Sequence, residues 1–288
     1  MDRGQLTYTN HDGTVINLND GSWFTLQEEG NEPQGIYGVP TAPVFASIPR
    51  KIPVGVYQAN NMLRRGIKLP LLVTGCDRGE LITRFKALWD VLWVDIRDDE
   101  QGTLSYVAWN YVEKLIECGV VGNANGIDSW LSAAANSESG ADFTVALDCA
   151  DPTFYYPDEQ EETGNFAGAA NVNIACTNAG NADAYPTILW EADDGNAIID
   201  PQVTDAHGSV LLIENTIAIG QTLTIVADPQ NISITYDLGP ADWFGQRSSG
   251  SEMPLVAPGV NNLVFANTNA AATGSITVTW NDRDGMHG

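Results

Sequence analysis

Apolar and polar positions alternate with a period of two along most of this chain, and shift to helical spacing in one clear stretch. Runs of strand character at 6–9 and 14–18 flank His11-Asp12-Gly13, whose Asp-Gly pair favours a tight hairpin turn. Further runs at 23–26, 54–59, 66–73, 103–109, 111–118 and 143–149 predict more strands. After Asp77 the period changes. Leu81, Ile82, Phe85, Leu88, Trp89 and Leu92 recur three and four residues apart and make one apolar face, with Lys86 and Asp90 on the opposite side. Asp77 stands where a cap belongs and Glu80 completes a capping-box-like pair. The spacing predicts one long helix over 78–92, packed on a sheet.

The helical period does not return after residue 157. Short strands are predicted at 172–176, 185–190, 209–213, 221–226, 231–236, 262–265 and 275–280, separated by Asn-Ala-Gly, Asp-Asp-Gly, Pro-Gly and Thr-Gly turns. Many short alternating strands without a helix argue a β-sandwich or jelly roll. Between the halves, the strand ending near Leu147 is stopped by Pro152 and Pro157, each lacking a ladder N–H. The acidic residues that follow carry almost no apolar side chain and read as a solvated linker. The expected organisation is a β-barrel or sandwich-like domain with one helix over 1–157, an acidic linker over 158–168, and a β-sandwich over 169–288. The Pro- and Gly-rich segment 27–53 holds too many breakers for regular structure and is expected to be a long functional or mobile loop.

Charge narrows the function classes. The 288 residues carry a net charge of −24. Residues 1–157 hold eleven Lys/Arg against twenty Asp/Glu, and residues 158–288 hold two against seventeen. Such a surface repels phosphate backbones and anionic membranes, so no direct nucleic-acid binding is expected. No apolar run reaches the roughly 18 residues of a membrane span, and the first residues lack a signal-peptide core, so no membrane insertion is expected and synthesis is assigned to a cytoplasm. Cys76, Cys118, Cys149 and Cys176 show no Cys-x-x-Cys spacing, so neither a zinc site nor a redox motif is indicated. Cys118 and Cys149 fall inside apolar strand patterns, where a thiol acts as a small hydrophobe.

Carboxylates are the most abundant candidates for chemistry. A glycosidase needs two carboxyls facing across a cleft, with one pKa raised by burial. Here Asp98-Asp99-Glu100, Asp158-Glu159 and Asp193-Asp194 cluster in predicted turns, where carboxylates are solvated. No EF-hand-like loop is present, and Asp193-Asp194-Gly195-Asn196 offers at most an incidental ion. His11, His207 and His287 lack ligand spacing, and no nucleophile-elbow, Walker or dinucleotide fingerprint appears. The chain is therefore expected not to be an enzyme, with no catalytic, cofactor-binding or metal-binding residue. Trp243 and Phe244, in a loop beside Gly239-Pro240 and Gly245, are the candidate contact for a carbohydrate or a partner protein; the alternative is that they plug the end of the sandwich.

Several ordered segments resemble one family. Asn178-Ala179-Gly180-Asn181 through Pro186 is similar to an Asn-x-Gly-Asn-x-x-x-x-Pro segment of siphophage distal tail proteins. The stretch 213–225 is similar to that family's Asn-Thr…Gly-(Glu/Gln)-x-Leu-x-Ile hairpin. Leu255-Val256-Ala257-Pro258-Gly259-Val260-Asn261 resembles its Leu-x-Pro-Gly-x-Asn turn with an extra spacer, and 273–283 resembles its closing strand. Gly66-Ile67-Lys68-Leu69-Pro70 and Ala150-Asp151-Pro152-Thr153-Phe154-Tyr155 resemble the same proteins, so the likeness runs from about residue 50 to 284. The family's Asp after the Leu-x-Ile strand is matched only loosely by Asp228, and segment 27–53 has no counterpart in it. The resemblance implies a structural virion protein at the distal tail tip of a long-tailed phage. It would form a homohexameric ring through its N-terminal domain and project a galectin- or carbohydrate-module-like β-sandwich. Its implied partners are the tail tube protein, the tail hub, and receptor-binding or side-fibre proteins. A carbohydrate-binding adhesion module is the alternative.

Overall fold

The computed structural model describes residues 5–26, 65–107, 112–121, 139–193, 195–238 and 243–285. The expected loop 27–53, the strand 54–59 and His287 lie outside these residues. The chain divides into two compact units: of the described residues, those up to Pro157 together with Gly285 form the first, and 158–284 form the second. Both are mainly β, as the alternation predicts.

The first unit contains β1 (Gln5–Thr9), β2 (Val15–Asn17), β3 (Phe24–Leu26), β4 (Arg65–Thr74), α1 (Arg78–Asp98), β5 (Gly102–Val107), β6 (Glu113–Val120), β7 (Gly140–Cys149) and the start of β8 (Phe154–Ala167). Its strands pair antiparallel in the order β3-β4-β7-β6-β5-β1-β2. The His11-Asp12-Gly13 turn joins β1 to β2, with Thr9 opposite Val15 and Gly13 at φ 84°. Pro70 stands inside β4 opposite Thr144 of β7. A proline cannot donate to a ladder, and β3 covers β4 only from Leu71 to Val73, so the missing N–H costs no bond on that side.

Helix α1 starts where expected. Asp77 accepts from the Glu80 N–H at 2.8 Å, and the Glu80 carboxylate reaches back to the Cys76 N–H at 2.6 Å. Leu81, Phe85, Leu88 and Leu92 pack on Leu69, Leu71, Leu104 and Ile116 of the sheet. The helix continues past the expected end at 92 to Asp98, where Asp99 adopts left-handed geometry at φ 56°. The apolar pattern stops early because the next core-facing position is Asp95, a buried carboxylate. A hydrophobic count cannot register it.

The second unit contains the rest of β8, then β9 (Asn171–Asn178), β10 (Thr187–Ala192), β11 (Ile198–Ile199), β12 (Gln202–Thr204), β13 (Val210–Leu212), β14 (Thr216–Ile217), β15 (Thr222–Val226), β16 (Ser233–Tyr236), β17 (Gly259–Ala266) and β18 (Thr273–Asp284). One sheet runs β16-β15-β10-β18-β8 and the other β13-β12-β17-β9, with β11 and β14 paired separately. Trp190 of β10 centres the core between them. Phe166 stacks on it at 5.6 Å and Phe265 of the other sheet meets it edge-on at 5.4 Å. This is a β-sandwich.

The expected linker 158–168 requires correction: residues 158–167 belong to β8. Asp158, Glu159, Glu161 and Glu162 all face solvent, and the strand buries a large apolar side chain in this unit only at Phe166. A strand with so little buried surface carries no hydrophobic alternation.

Candidate functional site

In the first unit the chemistry-bearing residues gather where the last turn of α1 meets the β1–β2 hairpin. The Asp95 carboxylate is shut off from solvent. Its Oδ2 accepts from the Tyr8 hydroxyl at 2.5 Å, and its Oδ1 accepts from the His11 N–H at 2.9 Å and lies 2.7 Å from His11 Nδ1. Asn10 extends the join, donating from Nδ2 to the Val91 carbonyl at 3.3 Å and accepting from the Thr14 N–H at 2.7 Å. Gly102 of β5 makes the space: a Cβ there would sit 2.6 Å from Asp95 Oδ2 and 2.6 Å from the Thr9 carbonyl.

Electrostatics tighten this join. His11 Nε2 faces Asp12 and Asp98 at 3.4 Å each, while its side chain stays 24% exposed. The hydrogen bond to Asp95 is the main cause that raises the His11 pKa above 6.5; desolvation opposes it, and Asp12, Asp95 and Asp98 add to it through charge. Burial, followed by the bond to Asp95, pushes the Tyr8 phenol well above its ordinary value. A Tyr-Asp-His chain has the composition of a proton relay, yet the Tyr8 side chain has no solvent access. The arrangement offers no open group to a substrate at that end. It ties a helix to a hairpin.

In the second unit three of the segments that carry the resemblance, 178–186, 255–261 and the end of 273–283, converge on one corner. Asn178 is fully buried and donates from Nδ2 to the carbonyls of Ala182 at 2.7 Å and Val256 at 2.9 Å, while its Oδ1 accepts from the Gly180 N–H at 3.0 Å. Ala184 and Val256 exchange N–H···O bonds of 2.9 Å. Asn261 donates to Ala257 at 2.6 Å and to Gly259 at 2.9 Å, holding the Pro258-Gly259 turn, where Gly259 sits at φ 88°. The Ala182 N–H donates to the Arg283 carbonyl at 3.0 Å, and any Cβ on Gly180 would collide with that same carbonyl. The Arg283 guanidinium lies 4.3 Å over the Tyr185 ring and 4.0 Å from the Asp228 carboxylate. Segments 178–186 and 255–261 and the end of β18 are thus one interlocked structural unit. The loosely matched Asp228 is part of it.

The two loop aromatics are placed differently. Trp243 is only 5% exposed; it stacks on Tyr236 at 4.1 Å and donates its backbone N–H to the Ile234 carbonyl. It belongs to the sandwich core, the alternative of plugging the sandwich. Its neighbour Asp242 lies outside the described residues. Phe244 is half-buried at the start of a short 3-10 turn (Phe244–Gln246), with the Arg247 guanidinium 3.7 Å over its ring. Elsewhere, an open depression of about 480 Å³ is lined by Asp200, Gln202, Leu212, Glu214, Ala266, Asn267 and Thr268. Nothing in the linear pattern joins these residues, which come from different strands and turns. Of the acidic turn at 193–196, the described part shows Asp193 accepting from the Gly195 N–H at 2.8 Å. Among the described residues no three potential metal ligands cluster.

These contacts set two expectations for stability. The folded pKa of His11 exceeds its unfolded value near 6.5, so the ion pair contributes fully below about pH 6.5 and is lost as pH rises through the folded value. The stability excess of the native chain over His11→Gln, from urea midpoints, is expected to be largest in mild acid and to shrink in alkali; an equal difference at both ends would remove the charge of His11 as its cause. Asn178→Ala removes the side-chain partners of the Ala182 carbonyl and the Gly180 N–H, and leaves the Val256 carbonyl with only its bond from the Ala184 N–H. It is expected to cost about 2–4 kcal/mol, read as an earlier urea midpoint, and a change within error would show that this corner does not depend on the side chain.

No protein-family model matches the chain, and no curated protein matches it. Among solved structures it is similar to the SPP1 Dit (gp 19.1) protein, a paradigm of the hub adsorption apparatus in Gram-positive infecting phages. The TM-score is 0.58 and the identity 17%, over 97% of this chain and 98% of that one. At that identity the likeness is one of fold, and it takes in both units of the chain.

Proposed function

We propose that this chain is a structural protein of a long-tailed phage, placed at the distal end of the tail. The observation that carries the reading is the full-length likeness of fold to SPP1 Dit. The order of turn motifs, and the convergence of three of these segments around Asn178, support it. In this reading the chain forms a homohexameric ring through its first unit and joins the tail tube to the tail hub, with receptor-binding or side-fibre proteins at the periphery. A ring of identical subunits requires head-to-tail patches that close on themselves. The chain acts in the virion and performs no catalysis.

A contact with sugar or a partner protein through the 243–244 loop rests in this reading on Phe244 and the Arg247 guanidinium above it, since Trp243 is buried. Negative-stain electron microscopy with light scattering tests the ring. Six-fold particles of six-chain mass are the expected result. A chain that stays monomeric both alone and co-produced with its tube and hub neighbours would overturn the reading.

A further inference from the structure

The fold brings together two cysteines that the sequence holds far apart. β6 and β7 run antiparallel with Gly119 opposite Asp148 and Val120 opposite Leu147. Continued by one residue past these pairs, the same register carries Cys118 opposite Cys149. The Val121 N–H donates to the Ala146 carbonyl at 2.8 Å, which marks 121/146 as a hydrogen-bonded position. Alternation then makes 119/148 hydrogen-bonded and 118/149 non-hydrogen-bonded, the class in which facing Cα atoms lie closest, about 4.5 Å apart. A disulfide needs Cα atoms roughly 4.4–6.8 Å apart. Directly opposed residues share a face, and both cysteines are fully buried in the core of the first unit. Cys149 is the group that most strongly affects the Cys118 thiol, as expected of side chains that lie next to each other.

We propose that Cys118 and Cys149 form an intramolecular cross-strand disulfide when the protein meets a disulfide oxidant such as oxidised glutathione outside a reducing cytosol. One protein thiolate attacks the glutathione disulfide and expels one glutathione thiolate. The second protein thiolate then attacks the mixed disulfide and expels the other. One S–S bond breaks and one forms; the protein is oxidised by two electrons, and two glutathione molecules leave as thiols with the two protons.

The surroundings set the rate. The neighbouring thiol and burial hold Cys118 well above the ordinary thiol range, so the closed sheet presents little thiolate. Oxidation therefore proceeds through local opening of β6 from β7. That opening is short, because the register between these strands has two bridged pairs. Once formed, the bond closes the segment between 118 and 149 and restricts the unfolded chain.

The test uses the full-length chain, with exposed Cys76 replaced (Cys76→Ser) to remove a competing thiol. The reduced protein is incubated with oxidised glutathione, then denatured, alkylated, and measured by intact mass and peptide mapping. The expected product is lighter by two hydrogens, carries a Cys118–Cys149 cross-link, and melts several degrees above the reduced chain. Denaturant well below the unfolding midpoint should speed its formation, and Cys118→Ala should abolish the melting increment. Both thiols remaining alkylatable, glutathione adducts without a cross-link, or a bond to Cys176 would each overturn the proposal. The mass and mapping are read on a chain with both cysteines in place, so the outcome is decisive even if Cys118→Ala fails to fold.

Discussion

A carboxylate without access to water must be matched completely, and Asp95 imposes that demand on the first unit. Burying an unpaired charge costs far more than a single hydrogen bond returns. The Tyr8 hydroxyl, the His11 N–H and the His11 ring all converge on it. Their positions fix how the hairpin meets α1, and the helix must extend past Leu92 to deliver the carboxylate. Gly102 is part of the same constraint, because any side chain at that position would occupy the space of Asp95 and Tyr8. One buried group therefore sets the length of a helix, the seat of a hairpin and the identity of a strand residue.

The same logic operates in the second unit with a neutral group. Asn178 has both a donor and an acceptor on one short side chain, and uses them to hold its own turn, at Gly180 and Ala182, against the sequence-distant Val256 segment. A carboxylate there would lose the donor. The apolar core around Trp190 provides the driving force for this unit, but hydrophobic burial is non-directional. The hydrogen bonds of Asn178 and Asn261 supply the direction that the core lacks.

What could be read in the linear pattern followed from how much surface each element buries. Strands such as β10, β15 and β18 place an apolar residue inward at every second position and were legible. The start of α1 was legible from its capping residues. β8 was not, since beyond Pro157 it buries a large side chain only at Phe166. The end of α1 was missed for the opposite reason, its inward residue being charged. Trp243 shows a third limit: a Gly- and Pro-flanked position suggests an exposed loop, yet its ring stacks on Tyr236 at the end of β16 and joins the core. The corner around Asn178 could be recognised as a set of turns, but their meeting point depends on strand order, which no local pattern encodes.

Across the sheet of the first unit, one row of residues shows how these constraints combine. Arg65 stands opposite Cys149 on β7, the β6–β7 register continued by one residue brings Cys118 to face Cys149, and Cys118 stands opposite Gly102 on β5. None of these four is a large aliphatic residue. Gly102 yields its volume to Asp95, and the two cysteines fill the middle with small, weakly polar groups. Arg65, only 1% exposed, donates from Nε to the Pro152 carbonyl at 2.7 Å and from Nη2 to the Gly285 carbonyl at 3.1 Å, with its guanidinium 5.1 Å over the Phe154 ring. A buried guanidinium is tolerable because its donors reach main-chain carbonyls and its face lies on an aromatic ring. Replacing this row with leucines would add apolar volume but remove the partner of the Pro152 carbonyl and the room for Asp95. The hydrophobic core on either side fixes the sheet; this row fixes what the sheet can hold.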